Sequence, residues 1–596
     1  MPTYTAPVRD MEFIMYDVLK MDEYQDMEGY GDADRSTVAA ILEEGAKISQ
    51  EVIQPINLSG DEEGCHLNNG IVTTPKGFKE AYQAYAEGGW SALTGSVEFG
   101  GQGLPYVLGL AMNEMVCSAN FSFSMYPGLT HGAIEAIEQY GSTEQKEMYL
   151  PKLISGEWTG TMNLTEAHAG TDLGLLRTKA VPQADGTYLV NGSKIFISAG
   201  DHDLTDNIIH LVLARLPDAP PGVKGISLFI VPKILVNADG SLGARNPVEC
   251  SRLEEKLGIH GNSTCVLNFE DAVGYMVGEA NKGLVAMFAM MNAARLGVGV
   301  QGLSIAQVAY ENAAAYAKER LQMRALTGPK APDKPADPII VHPDIRRMLL
   351  TGRSFCEAAR GIAYWAGLLV DMVHKHPDPK QRQKADDLLG LLTPVIKAYF
   401  TDMGTEVANL SLQCLGGHGY IKEWGLEQFV RDVRVAQIYE GANGIQALDL
   451  VGRKLPANKG RAVQVFFTEV GGFCEENADN EELAPFIAPV MSALEQLFEG
   501  GQWMADNGVK NPDHAGAGAT NYLYVIALSI MGFMWVKIVK VAQEKLAAGA
   551  GNEQFYKDKL TLAKFFFERM MPDLQAHMAK LKSGADTLMA MDTDSF

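Results

Sequence analysis

Cysteine is sparse and follows no pairing pattern: the seven residues stand at 65, 117, 250, 265, 356, 414 and 474 of 596, with no CxxC pair and no metal-ligand spacing. A disulfide scaffold and a zinc module are thereby excluded, no metal site is expected, and a reducing compartment is implied. Positive charge is also in deficit. Lys and Arg number 50 against 73 Asp and Glu, a net charge of -23, so the overall field repels nucleic acid and acidic membrane surfaces. An anionic ligand would need a locally basic entrance. The apolar run at 522–536, closed by Lys537 and Lys540, falls short of the roughly 20 residues that span a bilayer and is expected to be a buried helix. The first ten residues show neither a basic-then-apolar secretory signal nor an Arg-rich presequence. The expectation is a cytoplasmic protein with no transmembrane segment and no nucleic-acid partner.

Apolar residues make up 47% of the chain, and its length calls for three or four cores rather than one. Residues 36–52 place Val38, Ile41, Leu42 and Ile48 near one helical face, with Ser36 as N-cap and Pro55 as terminator. Helical patterning continues at 78–85, 108–119 and 133–153. From about 161 the texture becomes short and β-rich, at 188–190, 194–197, 208–214, 226–231 and 265–269. Asn191-Gly192 suits a two-residue hairpin turn between two of these runs. Helix returns after 281, broken at 328–338 by four prolines in eleven residues. Residues 456–460 read as a linker, and the helical tail beyond has a Gly/Ala-rich break near 515–519. The predicted class is α+β: a helical domain (1–160), a small antiparallel β-domain (161–280), a helical bundle (281–455) and an additional helical domain (461–596).

A GxGxxG pattern stands at Gly297, Gly299 and Gly302, with Glu319 near ribose-binding distance. The dinucleotide fingerprint needs a preceding strand and a tight turn, whereas the residues on both sides read as helix. These glycines are expected to serve close helix packing.

Three other stretches are more specific. They are Leu164-Thr165-Glu166-Ala167-His168-Ala169-Gly170-Thr171-Asp172, then Lys194-Ile195-Phe196-Ile197-Ser198, then Gln413-Cys414-Leu415-Gly416-Gly417-His418-Gly419-Tyr420 followed by Ile438-Tyr439-Glu440-Gly441-Ala442-Asn443. Taken singly they are a polar loop, a core aromatic in a strand and a solvated glutamate. In order and spacing they resemble the acyl-CoA dehydrogenase family, with its Thr-Glu-x-x-Ala-Gly-Ser/Thr-Asp, Trp-Ile-Thr, Gln-Ile-Leu-Gly-Gly-x-Gly and Ile-Tyr-Glu-Gly-Thr motifs. The resemblance extends over residues 80–455, and Phe99-Gly100-Gly101-Gln102-Gly103-Leu104 matches the family's N-terminal glycine loop.

The resemblance implies FAD, held between the domains and across a subunit interface. Leu164 and Thr165 would lie at the ring, Thr171 at the phosphates or the substrate, Phe196 against the flavin and Ser198 near N5, with Met162 a further cofactor contact. Gln413, Gly416, Gly417, Ala442, Asn443 and Gly444 would add further cofactor contacts. Glu440 is implied as the base that takes the α-proton of an acyl-CoA thioester. Its neighbours Ile438, Tyr439 and Gly441 suggest burial, which suits a general base. Gly441 would let the thioester carbonyl approach the main chain, where the Glu440 amide and a flavin hydroxyl form an oxyanion hole. Some long-chain members take the base from the residue before a helix Arg; here that residue is Ala294, before Arg295, and alanine cannot serve.

Arg295 and Asn292 are substrate candidates, although Asn292 stands where many relatives have Asp. Arg320, in Glu319-Arg320-Leu321-Gln322-Met323, matches an arginine that reaches the neighbouring subunit's FAD pyrophosphate. Met323 replaces the usual Phe, and Pro343 a frequent flavin-contacting Gln. The extra C-terminal helices resemble a long bacterial branch that includes 3-(methylthio)propionyl-CoA and medium- to long-chain fatty acyl-CoA dehydrogenases. The family resemblance implies trans-2-enoyl-CoA as product and electron-transfer flavoprotein as acceptor, and the extra C-terminal helices are expected to cover the surface by which smaller relatives form tetramers, which predicts a homodimer. An acyl-CoA oxidase is the near rival. A DNA-associated flavoprotein of the same fold is the remote one, disfavoured by the charge, and a catalytically silent FAD scaffold is disfavoured by the presence of Glu440.

Overall fold

The structure, a computed structural model, describes residues 2–596. The chain divides into two compact units. One takes the residues through Ala40, Pro105–Ala111 and Val298–Phe596; the other takes Ile41–Leu104 and Met112–Gly297.

In the second unit the helices Phe78–Glu87, Phe121–Tyr140 and Thr143–Ile154 accompany a large sheet. The single helix expected over 133–153 is two. Gly141 turns extended, and Ser142 restarts the helix with a capping box, its hydroxyl accepting from the Gln145 N–H (3.2 Å) while the Gln145 side chain accepts from its own N–H (3.0 Å). Likewise Pro55 does not end its helix: it sits in a 3-10 turn, and helix resumes over Asn57–Glu63.

The strands are β1 (His66–Asn68) and β2 (Ile71–Thr73), which form a ribbon, then β3 (Trp158–Asn163), β4 (Lys179–Pro182), β5 (Tyr188–Ser198), β6 (Asn207–Arg215), β7 (Ile226–Pro232), a second ribbon of β8 (Ile234–Val236) and β9 (Leu242–Arg245), β10 (Val248–Leu253) and β11 (Thr264–Val277). The main sheet runs β10-β11-β5-β4-β6-β3, with β7 paired to both β11 and β6. Both β3 and β4 lie parallel to β6, so the sheet is mixed rather than purely antiparallel. Parallel neighbours need a long crossover, and for β3 and β6 the intervening strands β4 and β5 supply it. β6 is buried on both faces: Ile209, Leu211 and Leu213 join the helices, while Val212 and Ala214 pack with Val190 and Ile197 on the other side.

Asn191-Gly192 makes no hairpin, because both residues lie inside β5. Their chemistry serves strand contacts instead. A Cβ on Gly192 would come within 2.4 Å of the Thr178 hydroxyl, and Asn191 exchanges two hydrogen bonds with the bulged Asp271 (2.8 and 2.9 Å).

In the first unit the helices Pro343–Lys375, Pro379–Leu415 and Pro512–Ala547 are the long members of a bundle. The Arg35–Ile48 helix is capped by Asp34, whose carboxylate accepts from the Ser36 and Thr37 N–H groups (2.8 and 3.0 Å), not by Ser36. Gly299 and Gly302 lie inside the helix Gly283–Glu319, as expected. A Cβ at Gly302 would stand 2.3 Å from the Phe400 carbonyl oxygen, so the backbones pack directly. The break expected at 515–519 is absent: helix Pro512–Ala547 runs through it, and Gly518 admits Leu581 at 3.4 Å from its missing Cβ. The 522–536 run is buried in the core. Its helix is long and apolar enough to cross a membrane, yet 83% of its most apolar window is covered by protein. The proline-rich stretch is largely exposed loop, pinned by buried Asp337, which accepts from the Ala325, Lys330 and Ala331 N–H groups and pairs with Arg324.

Candidate active site

The first candidate surface belongs to the sheet. In β5, Lys194 pairs with Leu267 and Ile197 with Cys265, so Ile195 and Phe196 together oppose one residue of β11. This bulge re-aims Phe196. Its φ is +59° and its side chain is exposed. A left-handed aromatic costs on the order of 1–2 kcal/mol, and its exposed ring leaves apolar surface in water. Both costs suit a residue that waits for a flat ligand.

The bulge is tied to the Leu164-Thr165-Glu166 loop. The Ile195 N–H donates to the Thr165 carbonyl (2.9 Å). Lys194, fully buried, donates to the Leu164 carbonyl (3.0 Å) and the Glu166 carboxylate (2.9 Å). Glu166 also accepts from the Arg177 N–H (2.7 Å), the Thr178 N–H (3.0 Å) and the Thr178 hydroxyl (2.6 Å). Burial would raise the Glu166 carboxyl, but the Lys194 charge and these donors outweigh it and hold it at about 2. Burial pulls Lys194 down to about 8 against the pull of Glu166. The pair is therefore ionised at neutral pH.

Around it, Met162 and Leu164 are half-buried against the helix-side core. The hydroxyls of Thr165, Thr171 and Ser198 bond no other described residue. An exposed ring beside unmatched hydroxyls and loop backbone fits a flavin, since each could meet a ring face, a ring edge or a phosphate.

The second candidate surface is the loop between the 3-10 turn Arg434–Gln437 and the helix Asn443–Asp449. Glu440 (φ +55°) and Gly441 (φ +88°) are both left-handed, so the backbone leaves its helical path at the candidate base. Fully buried Lys397 donates to the Gly441 carbonyl (2.7 Å) and to the Asn443 side-chain oxygen (2.8 Å). The Gln446 amide donates to the Glu440 carbonyl (3.2 Å), and the Tyr439 hydroxyl to Gln301. Burial of Glu440, expected from its apolar neighbours, is corrected to half-burial. The loop stands at the surface of its unit, with Ile438 56% exposed.

The Asn443 side chain is engaged within the loop. Its amide nitrogen donates to Ala398, Thr401 and Asp402, and its oxygen faces Lys397, so both ends are spent on the loop. Ala442 and Gly444 flank it with their backbone near the surface. Arg320, Gln413, Gly416 and Gly417 are exposed, and neither glycine has a neighbour within 4 Å of a would-be Cβ. Arg295 is buried, its guanidinium 5.8 Å from the Phe288 ring centre, whereas Asn292 is exposed.

Lys194, Glu166, Lys397 and Asp402 were given no role by sequence reasoning. A signal existed for Lys397: a lysine between Val395-Ile396 and Ala398-Tyr399-Phe400 needs a buried partner. Among the described residues no group of His, Cys, Asp and Glu could hold a metal ion.

The chain matches four family models: "Acyl-CoA dehydrogenase, N-terminal domain" at 30–157, "middle domain" at 161–272, "C-terminal domain" at 281–455, and "Acetyl-CoA dehydrogenase C-terminal like" at 466–592. It is 41% identical to the 3-methylmercaptopropionyl-CoA dehydrogenase of Ruegeria pomeroyi over 98% of this chain and 99% of that one. It is 32% identical to the broad-specificity linear acyl-CoA dehydrogenase FadE5 of Mycobacterium tuberculosis over the full length of both. Its fold is similar to an acyl-CoA dehydrogenase from Bacillus anthracis solved with FAD, at TM-score 0.75 and 22% identity, covering 96% of this chain and 91% of that one.

Proposed function

We propose the reaction from one premise: this chain belongs to the acyl-CoA dehydrogenase family. The reaction is α,β-dehydrogenation of an acyl-CoA thioester to the trans-2-enoyl-CoA, with Glu440 as base. The observation that carries it is the Glu440-Gly441 reversal, a carboxylate presented on a loop whose backbone is clamped by buried Lys397.

FAD, when bound, supplies the acceptor for the β-hydrogen as hydride, which no side chain can offer. Phe196 would carry the flavin face, Ser198 and Thr165 would bond its edge and Thr171 would meet phosphates, while Arg320 would meet the pyrophosphate of the neighbouring subunit's FAD. Lys194 and Glu166 keep the Thr165 loop in register with Phe196. Glu440 accepts the α-proton, and Gly441 leaves room for the thioester carbonyl to approach the main chain, where backbone N–H groups stabilise the developing enolate oxygen.

The identity shared with the R. pomeroyi enzyme along the whole chain supports a 3-(methylthio)propionyl-CoA substrate; the FadE5 likeness supports linear fatty acyl-CoA as the alternative. A panel of methylthio, short, long and branched acyl-CoAs with a dye acceptor decides between them. Electron-transfer flavoprotein is the proposed acceptor, and peroxide release under aerobic turnover would instead identify an oxidase. The scatter of the seven cysteines, with no CxxC pair and no metal-ligand spacing, supports a reducing, cytoplasmic setting.

Glu440→Gln is expected to keep its yellow FAD while the rate of flavin bleaching by acyl-CoA falls roughly 10²–10⁴-fold, the usual share of a general base. Bleaching at the normal rate would remove Glu440 from the mechanism. The C-terminal helices are proposed to cover the surface by which smaller relatives join dimers into tetramers. A dimer mass in solution is expected, and a tetramer mass would refute this.

A further inference from the structure

The additional helix Pro512–Ala547 packs against the helix Asn443–Asp449 that follows the base loop, and one of its hydroxyls bonds a carboxylate that holds the loop. Asp402, on the helix Pro379–Leu415, accepts on one carboxylate oxygen from Gln437 (2.6 Å) and from Asn443 (2.8 Å). Those residues stand three before and three after Glu440. The other oxygen of Asp402 accepts from the Tyr524 hydroxyl (2.6 Å), on the helix Pro512–Ala547. We propose that Tyr524 is a positioning residue for Glu440: through Asp402 it holds both ends of the base loop, so the C-terminal domain belongs to the catalytic machinery. The inference rests on the assignment of Glu440 as base.

Three observations support it. A glutamate at φ +55° persists where surrounding structure over-determines the backbone, and one carboxylate bonding both flanks of the loop is such a constraint. The Tyr524 ring is itself fixed, edge-on to Tyr399 at 5.3 Å and against His577 at 4.6 Å, so its hydroxyl is aimed and not merely available. Burial and the adjacent Asp402 charge push the phenol far above its ordinary range, which keeps it a proton donor to Asp402 throughout the working pH.

Asn443 then passes the constraint inward. It shares Lys397 with the Gly441 carbonyl, the peptide next to the base. Misplacement by a fraction of an ångström at this point slows proton abstraction without weakening substrate binding.

The test uses the full-length, FAD-loaded protein, with anaerobic flavin reduction by butyryl-CoA and by 3-(methylthio)propionyl-CoA. Tyr524→Phe keeps the ring contacts and removes the hydroxyl. Its limiting reduction rate is expected to fall about tenfold, with FAD content and the half-saturating acyl-CoA concentration within about twofold of wild type. Tyr522→Phe, on the same helix but bonded to the Leu497 carbonyl (3.3 Å), is expected to react as wild type. Asp402→Asn should slow reduction as well, and the Tyr524→Phe/Asp402→Asn double variant should be no slower than the slower single. If Tyr524→Phe does not fold, Asp402→Asn carries the test.

A Tyr524→Phe rate within twofold of wild type, an equal loss in Tyr522→Phe, a wild-type rate in Asp402→Asn, or additive losses in the double variant would each overturn the proposal. Glu440→Gln run alongside separates the two failures. If it is inert while Tyr524→Phe is normal, only the positioning role falls; if Glu440→Gln reduces flavin normally, the base assignment falls with it.

Discussion

Phe196 combines two unfavourable features, a left-handed backbone and an exposed ring. Glycine at this position would relieve the backbone but forfeit the stacking surface. Phe196→Gly is therefore expected to leave the apoprotein's thermal midpoint at or above wild type while weakening FAD binding about tenfold, the equivalent of roughly 1.4 kcal/mol of stacking. Apoprotein melting and flavin titration check the two halves separately. Strain at Phe196 was invisible in sequence because a phenylalanine in a β-rich run reads as core. Only the register with β11 reveals the bulge that turns it outward.

At the scale of elements, the joint between β5 and the Leu164-Thr165-Glu166 loop rests on the buried Lys194–Glu166 pair. The Glu166 carboxyl is lowered from 4.5 to about 2 in the folded protein. A carboxyl that is more acidic when folded adds stability that is fully present above its unfolded pKa and lost as pH falls through the folded one. The contribution should thus be intact above pH 4.5 and decline between there and about 2. Glu166→Gln is expected to melt well below wild type at pH 6 and much closer to it at pH 3; a gap that stays constant across that range would contradict the ion-pair account. Motif order marked this loop as important, but sequence could not show that Glu166 faces inward toward a lysine 28 positions later.

In the whole molecule, the helix-bundle unit is closed by a buried charge cluster drawn from distant parts of the chain. Asp10 pairs with Arg360 and Lys559, and Lys559 also with Glu357 (2.7 Å), while Arg353 links Glu357 (2.8 Å) to Asp558 (3.2 Å). Burial would raise the Asp10 carboxyl, but its two cations outweigh that and lower it. Removing one partner of such a cluster strands the others, at a cost of about 3–5 kcal/mol. Lys559→Met is expected to lower the denaturant midpoint accordingly and to expose the N-terminal segment to limited proteolysis. An unchanged midpoint would mean that water or a rearranged partner replaces the lysine.

Sequence alone determined the order of the helical and β-rich segments and the packing role of Gly299 and Gly302, because these depend on local periodicity, while the resemblance of its motifs to the acyl-CoA dehydrogenase family pointed to the family and to the candidate base. It misjudged Asn191-Gly192 as a turn and 515–519 as a break, because local propensity yields to a neighbouring strand or helix that needs close approach. Tertiary structure decided what holds the chemistry in place. Lys194 with Glu166, Lys397 with Gly441, and Tyr524 with Asp402 lie between 28 and 122 positions apart. Buried polar groups must find partners wherever the fold brings them, and no local pattern records where that is.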